Sequence, residues 1–127
     1  MGCDIHAHIE VKVEGRWEHY SCPPIQRNYR LFARICGVRN SGNITPISDP
    51  RGLPTDLSLI TQKCYNFMKC DAHSATWLSG KELDNLCDWA DDPALGYLNG
   101  NGFDLRGDST GHPASFEDCR FICWFDN

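Results

Sequence analysis

Three side chains with ligand or acid–base chemistry recur at every second position near the start of the chain: Asp4, His6 and His8. Because side chains alternate between the two faces of a strand, this spacing places the three on one face, with neighbours about 7 Å apart. Such a row could bind a ligand, share a metal ion or form a solvated polar face, and the spacing leaves all three interpretations open. No cofactor is expected to be required; if a divalent metal binds, we expect Asp4, His6 and His73 to hold it.

A second group of candidates is rich in arginine. Residues 27–48 contain four arginines and no acid. Arginine suits phosphate and carboxylate because its planar guanidinium binds two oxygens at once, and a helix start adds open backbone amides. A solvated helix face is the alternative. The candidate ligand-binding residues of this region are Arg27, Asn28, Tyr29, Arg39 and Asn40, together with Arg51 in a loop that Pro50 and Pro54 stiffen.

Two further candidates follow later in the chain. His73-Ser74 could contribute polar groups to the same pocket, and a purine could stack on Trp77. Packing of Trp77 in the core is the alternative interpretation. The sequence contains no P-loop, dinucleotide-binding fingerprint or G-x-S-x-G elbow, so those nucleotide-binding and hydrolase classes are not supported.

Charge and hydropathy restrict the partners. The net charge of −5 argues against binding to duplex DNA or RNA. It divides into −2 over residues 1–15, +5 over residues 16–70 and −8 over residues 71–127. The apolar runs are too short for a membrane span.

The chain has eight cysteines, no C-x-x-C pair and no signal-peptide pattern, so we expect reduced, mostly buried thiols and a cytoplasmic location.

The strand signals lie at the two ends of the chain. Residues 3–13 alternate between apolar and polar types, which predicts a half-buried strand. A three-residue loop, 14–16, would place Val13 opposite Trp17 in a hairpin whose second strand runs to about Tyr20. Residues 119–125 form a near-continuous apolar run, typical of a central strand buried on both faces.

Three helices are expected between these strands. Asn28 and Gly37 are the predicted cap residues of the first helix, and Ser79 and Glu82 form a capping box at the start of the third. The second helix is predicted over 57–69, capped by Thr55 or Asp56. Its predicted packing face consists of Leu57, Ile60, Cys64, Phe67 and Met68. Residues 71–78 read as an extended link and residues 91–113 as loop. The chain is therefore predicted to be a single α+β domain, 1–127, in which about three helices pack on a small antiparallel sheet built from the N-terminal hairpin and the C-terminal strand.

Several short blocks, in order along nearly the whole chain, resemble a family of small, mostly uncharacterised tailed-phage proteins. The blocks are Cys3-Asp4-Ile5-His6, Arg27-Asn28-Tyr29 with Leu31-Phe32, Val38-Arg39-Asn40, Pro46-Ile47-Ser48, Pro50-Arg51-Gly52-Leu53-Pro54, His73-Ser74 before Trp77-Leu78, and Trp124-Phe125-Asp126-Asn127. This chain departs from the family pattern at His8, at Ala75-Thr76 and in its additional cysteines.

The resemblance implies an accessory phage protein made in the cytoplasm of an infected bacterium. Small proteins of this class can counter host immunity by sequestering or degrading a nucleotide second messenger. We therefore expect the chain to bind a small anionic, nucleotide-like ligand and to sequester a host immune signal. The alternatives are a metal-dependent phosphodiesterase and a protein-binding inhibitor that uses the acidic residues 71–127. Homo-oligomer formation is left open.

Overall fold

The computed structural model describes residues 2–90 and 118–127. The described elements are β1 (Asp4–Val13), β2 (Arg16–Ser21), α1 (Tyr29–Cys36), α2 (Leu59–Met68), β3 (His73–Ser79), α3 (Gly80–Ala90) and β4 (Cys119–Asp126). The strands form one antiparallel sheet in the order β2-β1-β4-β3, which confirms the predicted α+β class. None of the described helices has the length and apolar character needed to span a membrane.

The C-terminal strand lies in the interior of the sheet, as its apolar run predicts. β4 pairs with β1 on one side and with β3 on the other, and every residue from Cys119 to Phe125 is buried. Most of residues 71–78, predicted to be an extended link, instead lie in the edge strand β3 (His73–Ser79). Its pairing places Trp77 opposite Ile122 and Leu78 opposite Phe121. This strand forms because β4 supplies hydrogen-bond partners along that side. Periodicity within seven residues does not reveal such a neighbouring strand.

The two faces of the sheet carry different layers. On one face, apolar side chains of β1 and β4 pack against α1 and α3. The buried members of this core are Cys3, Ile5, Ala7, Ile9, Val11, Leu31, Phe32, Ile35, Cys36, Val38, Leu78, Leu83, Leu86, Cys87, Cys119, Phe121, Cys123 and Phe125. The opposite face presents His6, His8 and Glu10 of β1 and is covered by α2. Of the row Asp4, His6 and His8, only His8 is buried, whereas His6 is half-buried and Asp4 is exposed.

The β1–β2 hairpin is one residue tighter than predicted. Val13 pairs with Arg16 and Lys12 with Trp17, so the loop consists of Glu14 and Gly15 alone. Both loop residues have positive φ, 52° and 79°, which is the backbone of a two-residue turn of the type I′ class. The predicted pairing of Val13 with Trp17 is wrong. The prediction did not assign a left-handed conformation to Glu14, and that conformation permits the shorter loop. A bulge at Ile9 and Glu10 shifts the register once more.

The capping predictions for α1 and α3 are confirmed. The Asn28 side chain accepts a hydrogen bond from Leu31 N at 3.1 Å, and Gly37 closes the helix with φ of 82°. At α3, Glu82 N donates to Ser79 Oγ at 3.2 Å and Ser79 N donates to Glu82 Oε1 at 3.0 Å, the reciprocal pair of a capping box.

The predictions for α2 are wrong in cap and in packing face. Ser58, rather than Thr55 or Asp56, is the N-cap residue. Of the predicted face, Ile60 and Phe67 are 53% and 91% exposed among the described residues. The helix instead buries Thr61 and turns Tyr65 toward Trp124, because the sheet face beneath it is polar and aromatic. The predicted loop at residues 91–113 lies outside the described residues.

All eight cysteines are free thiols, and five of them are buried: Cys3, Cys36, Cys87, Cys119 and Cys123. Burial raises the pKa of Cys36 and of Cys87 to about 12, which keeps these thiols protonated. Cys64, predicted to be buried, is only half-buried. The expectation of reduced, mostly buried thiols agrees with this arrangement.

Candidate ligand-binding site

Three strand termini meet at one end of the sheet. Because β1 and β3 both run antiparallel to β4, the starts of β1 and β3 lie beside the end of β4: Asp4 is opposite Asp126, and His73 is opposite Phe125. The start of α1 and the residues after it join the same end through side-chain contacts. We call this set the polar end: Asp4, His6, Arg27, Tyr29, Arg39, His73, Ser74, Asp126 and Asn127.

The first strand is tied to the start of α1. Arg27 donates to Asp4 Oδ1 from Nε and Nη2, both at 3.0 Å, and both side chains are about half exposed. Hydrogen bonding to Arg27 holds the pKa of Asp4 below its usual value. The guanidinium lies so close over Gly2 that a Cβ there would be 2.1 Å from Nη1. Tyr29 completes the junction because its hydroxyl accepts a hydrogen bond from Cys3 N at 3.0 Å.

A histidine–carboxylate pair links β1 to β4. His6 Nε2 lies 2.5 Å from Asp126 Oδ2, and the imidazole stacks on Trp124 with ring centroids 6.3 Å apart. The carboxylate fixes the orientation of the ring, an arrangement that suits either ligand hydrogen bonding or proton transfer.

Arg39 and His73 both contact the side-chain amide of Asn127. Arg39 Nη2 donates to Asn127 Oδ1 at 3.3 Å, and its guanidinium lies over the Tyr29 ring at 5.4 Å. His73 Nε2 lies 3.2 Å from the same Asn127 oxygen, and its Nδ1 lies 3.0 Å from Ser74 Oγ. Arg39 and Ser74 both have φ of 54°, which is uncommon for residues with a side chain. Such strain concentrates at functional sites, where it is retained for the position it gives to a side chain.

A cleft adjoins the polar end on the α2 side of the sheet. It has a volume of about 400 Å³, and His6 of the polar end is one of its lining residues. Its lining residues are Ile5, His6, Ala7, His8, Cys22, Pro23, Pro24, Ile25, Gln26, Cys64, Met68 and Trp124. Trp124 is completely buried, and its indole Nε1 has no hydrogen-bond partner among the described residues. Leaving a buried donor without a hydrogen-bond partner costs free energy.

Three potential metal ligands lie together beside this cleft, and two of them, His8 and Cys22, line it. His8 Nδ1 is 3.1 Å from His19 Nε2, and Cys22 Sγ is 3.3 Å from each of these nitrogens. Among the described residues this is the cluster of histidine, cysteine and carboxylate groups close enough to hold one ion. The metal ligands considered from the sequence instead form hydrogen bonds to different partners. Asp4 contacts Arg27, His6 contacts Asp126, and His73 contacts Ser74 and Asn127.

The surroundings keep both imidazoles of this cluster neutral. Burial, followed by the neighbouring His19, lowers the pKa of His8 to about 4, although Glu10 opposes the shift. Burial likewise lowers the pKa of His19, again against Glu10. Burial and the nearby Cys64 raise the pKa of Cys22, so its thiol is protonated when no cation is present.

The remaining predicted site residues have other structural roles. Asn28 caps α1, and Asn40 closes its own loop by donating to Ile44 O at 2.7 Å and accepting from Ile44 N at 2.8 Å. Arg51 lies away from the polar end, where both of its terminal nitrogens donate to Glu82 at 2.7 Å. Its guanidinium also lies over the Trp77 ring at 4.7 Å, so one face of the stacking surface considered for a purine is occupied.

Sequence reasoning did not select four residues that the structure brings into these sites. Asp126 and Asn127 were recognised only as part of a terminal block, since their contacts with His6, Arg39 and His73 are long-range. His19 had a usable signal, because a hairpin with a two-residue loop places Glu10 opposite His19 and so brings His19 diagonal to His8. Cys22, which follows β2, had no such signal. Comparison with protein-family models, with curated proteins and with solved structures gave no match to the chain.

Proposed function

We propose that the protein binds a small anionic ligand of the nucleotide type at the polar end and acts by sequestering it. The observation that carries the proposal is the convergence of seven of the eleven predicted ligand-binding residues at one end of the sheet. These residues come from β1, the segment before α1, α1 itself, the turn after α1, and β3: Asp4, His6, Arg27, Tyr29, Arg39, His73 and Ser74. Packing alone does not require this set of polar groups at one place.

Arg39 is the group best suited to hold the anion. It is exposed, and among the described residues it forms no ion pair with a carboxylate. Its hydrogen bond goes to the neutral amide of Asn127, and its guanidinium packs on the ring of Tyr29. In contrast, Arg27 and Arg51 are paired with Asp4 and Glu82. An oriented guanidinium with spare donors is a favourable partner for a phosphate or carboxylate.

The adjoining cleft offers space for the remainder of the ligand. Its volume of about 400 Å³ lies within the range of small-molecule sites, roughly 300–1,000 Å³. His6 belongs to both the cleft and the polar end, and most of the other lining side chains are apolar. A ligand with an anionic group and a flatter, less polar part fits this combination. The wider role, removal of a host immune nucleotide in an infected bacterium, is part of the proposal and is supported by the sequence resemblance.

Thermal unfolding in the presence of mono-, di- and cyclic nucleotides tests the proposal, because a ligand that binds only the native state raises the melting temperature as its concentration rises. Arg39→Ala should weaken binding by roughly ten- to a hundred-fold, since a charge-assisted hydrogen-bond pair contributes about 1.5–3 kcal/mol. Arg39→Lys should restore only part of this loss, because a point charge does not reproduce the planar contact.

Arg16→Ala provides the matched control. Arg16 is also an exposed arginine, but it lies at the hairpin end of β2, opposite the polar end. Its removal should leave the ligand affinity unchanged. A panel that produces no thermal shift, or an Arg16→Ala variant that loses as much affinity as Arg39→Ala, would refute the proposal.

A metal-dependent phosphodiesterase is the second candidate, favoured by the His8, His19 and Cys22 cluster, of which His8 and Cys22 line the same cleft. The two candidates differ in the fate of the ligand. Sequestration requires that the nucleotide released by heating the complex be chemically intact, as chromatography and mass spectrometry would show. Cleaved nucleotide that is absent from a His19→Gln sample would favour the phosphodiesterase.

A further inference from the structure

We propose that His8, His19 and Cys22 form a binding site for a zinc-type transition-metal ion, with a fourth coordination position left for water on the side of the cleft. This inference does not depend on the ligand proposed for the polar end. It starts from the atoms: two imidazole nitrogens and one sulfur form a triangle with sides of 3.1, 3.3 and 3.3 Å.

The triangle has the size that a tetrahedral ion requires. Zinc binds nitrogen at about 2.1 Å and sulfur at about 2.3 Å, so tetrahedral angles give nitrogen–nitrogen edges of about 3.4 Å and nitrogen–sulfur edges of about 3.6 Å. The observed edges are within about 0.3 Å of these values. An ion about 2.1 Å from each corner would lie roughly 1 Å above the plane of the three atoms. Small side-chain adjustments therefore complete the coordination.

The hairpin holds the ligands in place before any ion binds. His8 is 5% exposed and lies between two rings, stacked on Trp124 with centroids 5.0 Å apart and edge-on to His19 at 5.3 Å. The β1–β2 register places His19 diagonally across from His8, and Cys22 follows directly after β2. Ligands that are already oriented lose little conformational entropy when they bind the ion.

The donor set selects the class of ion. Imidazole and thiolate favour zinc and neighbouring transition metals, whereas magnesium and calcium favour oxygen. Three protein ligands and one exchangeable position are typical of reactive zinc sites, and four protein ligands are typical of structural ones. His8 and Cys22 both line the cleft, so the fourth position faces it. Cys64 lines the same cleft but lies outside the cluster of three.

Cobalt(II) titration of the chelator-treated, full-length protein tests the site, because tetrahedral cobalt gives intense visible bands and a thiolate-to-cobalt charge-transfer band in the near ultraviolet. We expect one ion per chain, one thiolate ligand, displacement by zinc and no displacement by magnesium. His19→Gln and Cys22→Ser should weaken binding by at least about a hundred-fold, since even groups behind the ligands contribute 10- to 100-fold. Saturating zinc should also raise the melting temperature of the native chain but not that of Cys22→Ser.

Cys70→Ser is the matched control, because Cys70 is an exposed free thiol like Cys22 but lies outside the cluster. It should retain the affinity and both sets of bands. Absence of the charge-transfer band, or its persistence in Cys22→Ser, would overturn the metal site. Cys64→Ser should keep the full band. If it loses affinity as Cys22→Ser does, Cys64 is a fourth ligand and the open position is refuted.

Discussion

Replacing Arg120 by methionine tests how α2 is attached over the site. Glu10 is completely buried in β1, and its Oε1 accepts hydrogen bonds from Arg120 Nε at 2.8 Å and Nη2 at 2.6 Å. Its Oε2 accepts from Ser58 N, the cap residue of α2, at 2.9 Å. Arg120 also reaches Asp56 Oδ1 at 2.8 Å and lies over Trp17 at 4.1 Å. One buried ion pair thus joins β1, β4 and the start of α2.

The expected cost follows from what the substitution leaves behind. Arg120→Met keeps most of the side-chain volume but leaves the Glu10 carboxylate buried without a cation, which typically costs about 3–5 kcal/mol. Domains of this size have a free energy of unfolding of about 5–15 kcal/mol, so the variant should lose a large fraction of it. Glu10→Gln in the same chain should recover about half of the loss, because the amide carbonyl still accepts from Ser58 N and no buried charge remains.

Urea denaturation followed by tryptophan fluorescence would measure these differences, with Arg16→Met as a control at an exposed arginine. The Arg120→Met variant should also bind the nucleotide ligand more weakly, since α2 contributes Cys64 and Met68 to the cleft. A cost below about 1 kcal/mol, comparable to that of Arg16→Met, would mean that the pair is solvated as surface pairs are. The description of α2 as anchored through Glu10 would then be wrong.

Three further outcomes are expected. Arg51 lowers the pKa of Glu82 from 4.5 to about 2 despite partial burial, so this carboxylate stabilises the fold above about pH 4.5 and loses its contribution as the pH falls toward 2. The Glu82→Gln variant should therefore have a free energy of unfolding at pH 7 that is lower by about 1–2 kcal/mol. The pKa shift sets an upper limit of about 3 kcal/mol, which solvent screening reduces. A difference in urea midpoint that persists at pH 2 would contradict this. Phe32→Ala, in the core, should cost about 3–5 kcal/mol, whereas Phe67→Ala, 91% exposed, should cost almost nothing; a large effect of Phe67→Ala would mean that α2 packs with its other face on the sheet. A thiol reagent should find eight groups in the denatured chain but react quickly in the native one only with those that are not buried, Cys22, Cys64 and Cys70, and fewer than eight after denaturation would indicate disulfides.

The sequence by itself determined the elements whose signals are local. Asn28 and Gly37 define α1 because a helix end needs a side-chain acceptor at one terminus and a left-handed residue at the other, and both requirements are met within a few residues. The alternation of β1 and the continuous apolar run of β4 are equally local, since each side chain reports which face of a strand is buried.

Only the tertiary structure decided which surfaces and termini meet. The packing face of α2 was misjudged because amphipathic spacing assumes an apolar partner, whereas the sheet beneath it presents Glu10 and Trp124. The hairpin register depended on Glu14 adopting positive φ, and that register brings His19 close to His8. The polar end joins residues that are far apart in the sequence, such as His6 and Asp126, which are 120 positions apart. Such contacts arise from the order of strands in the sheet, which side-chain periodicity within one segment does not encode.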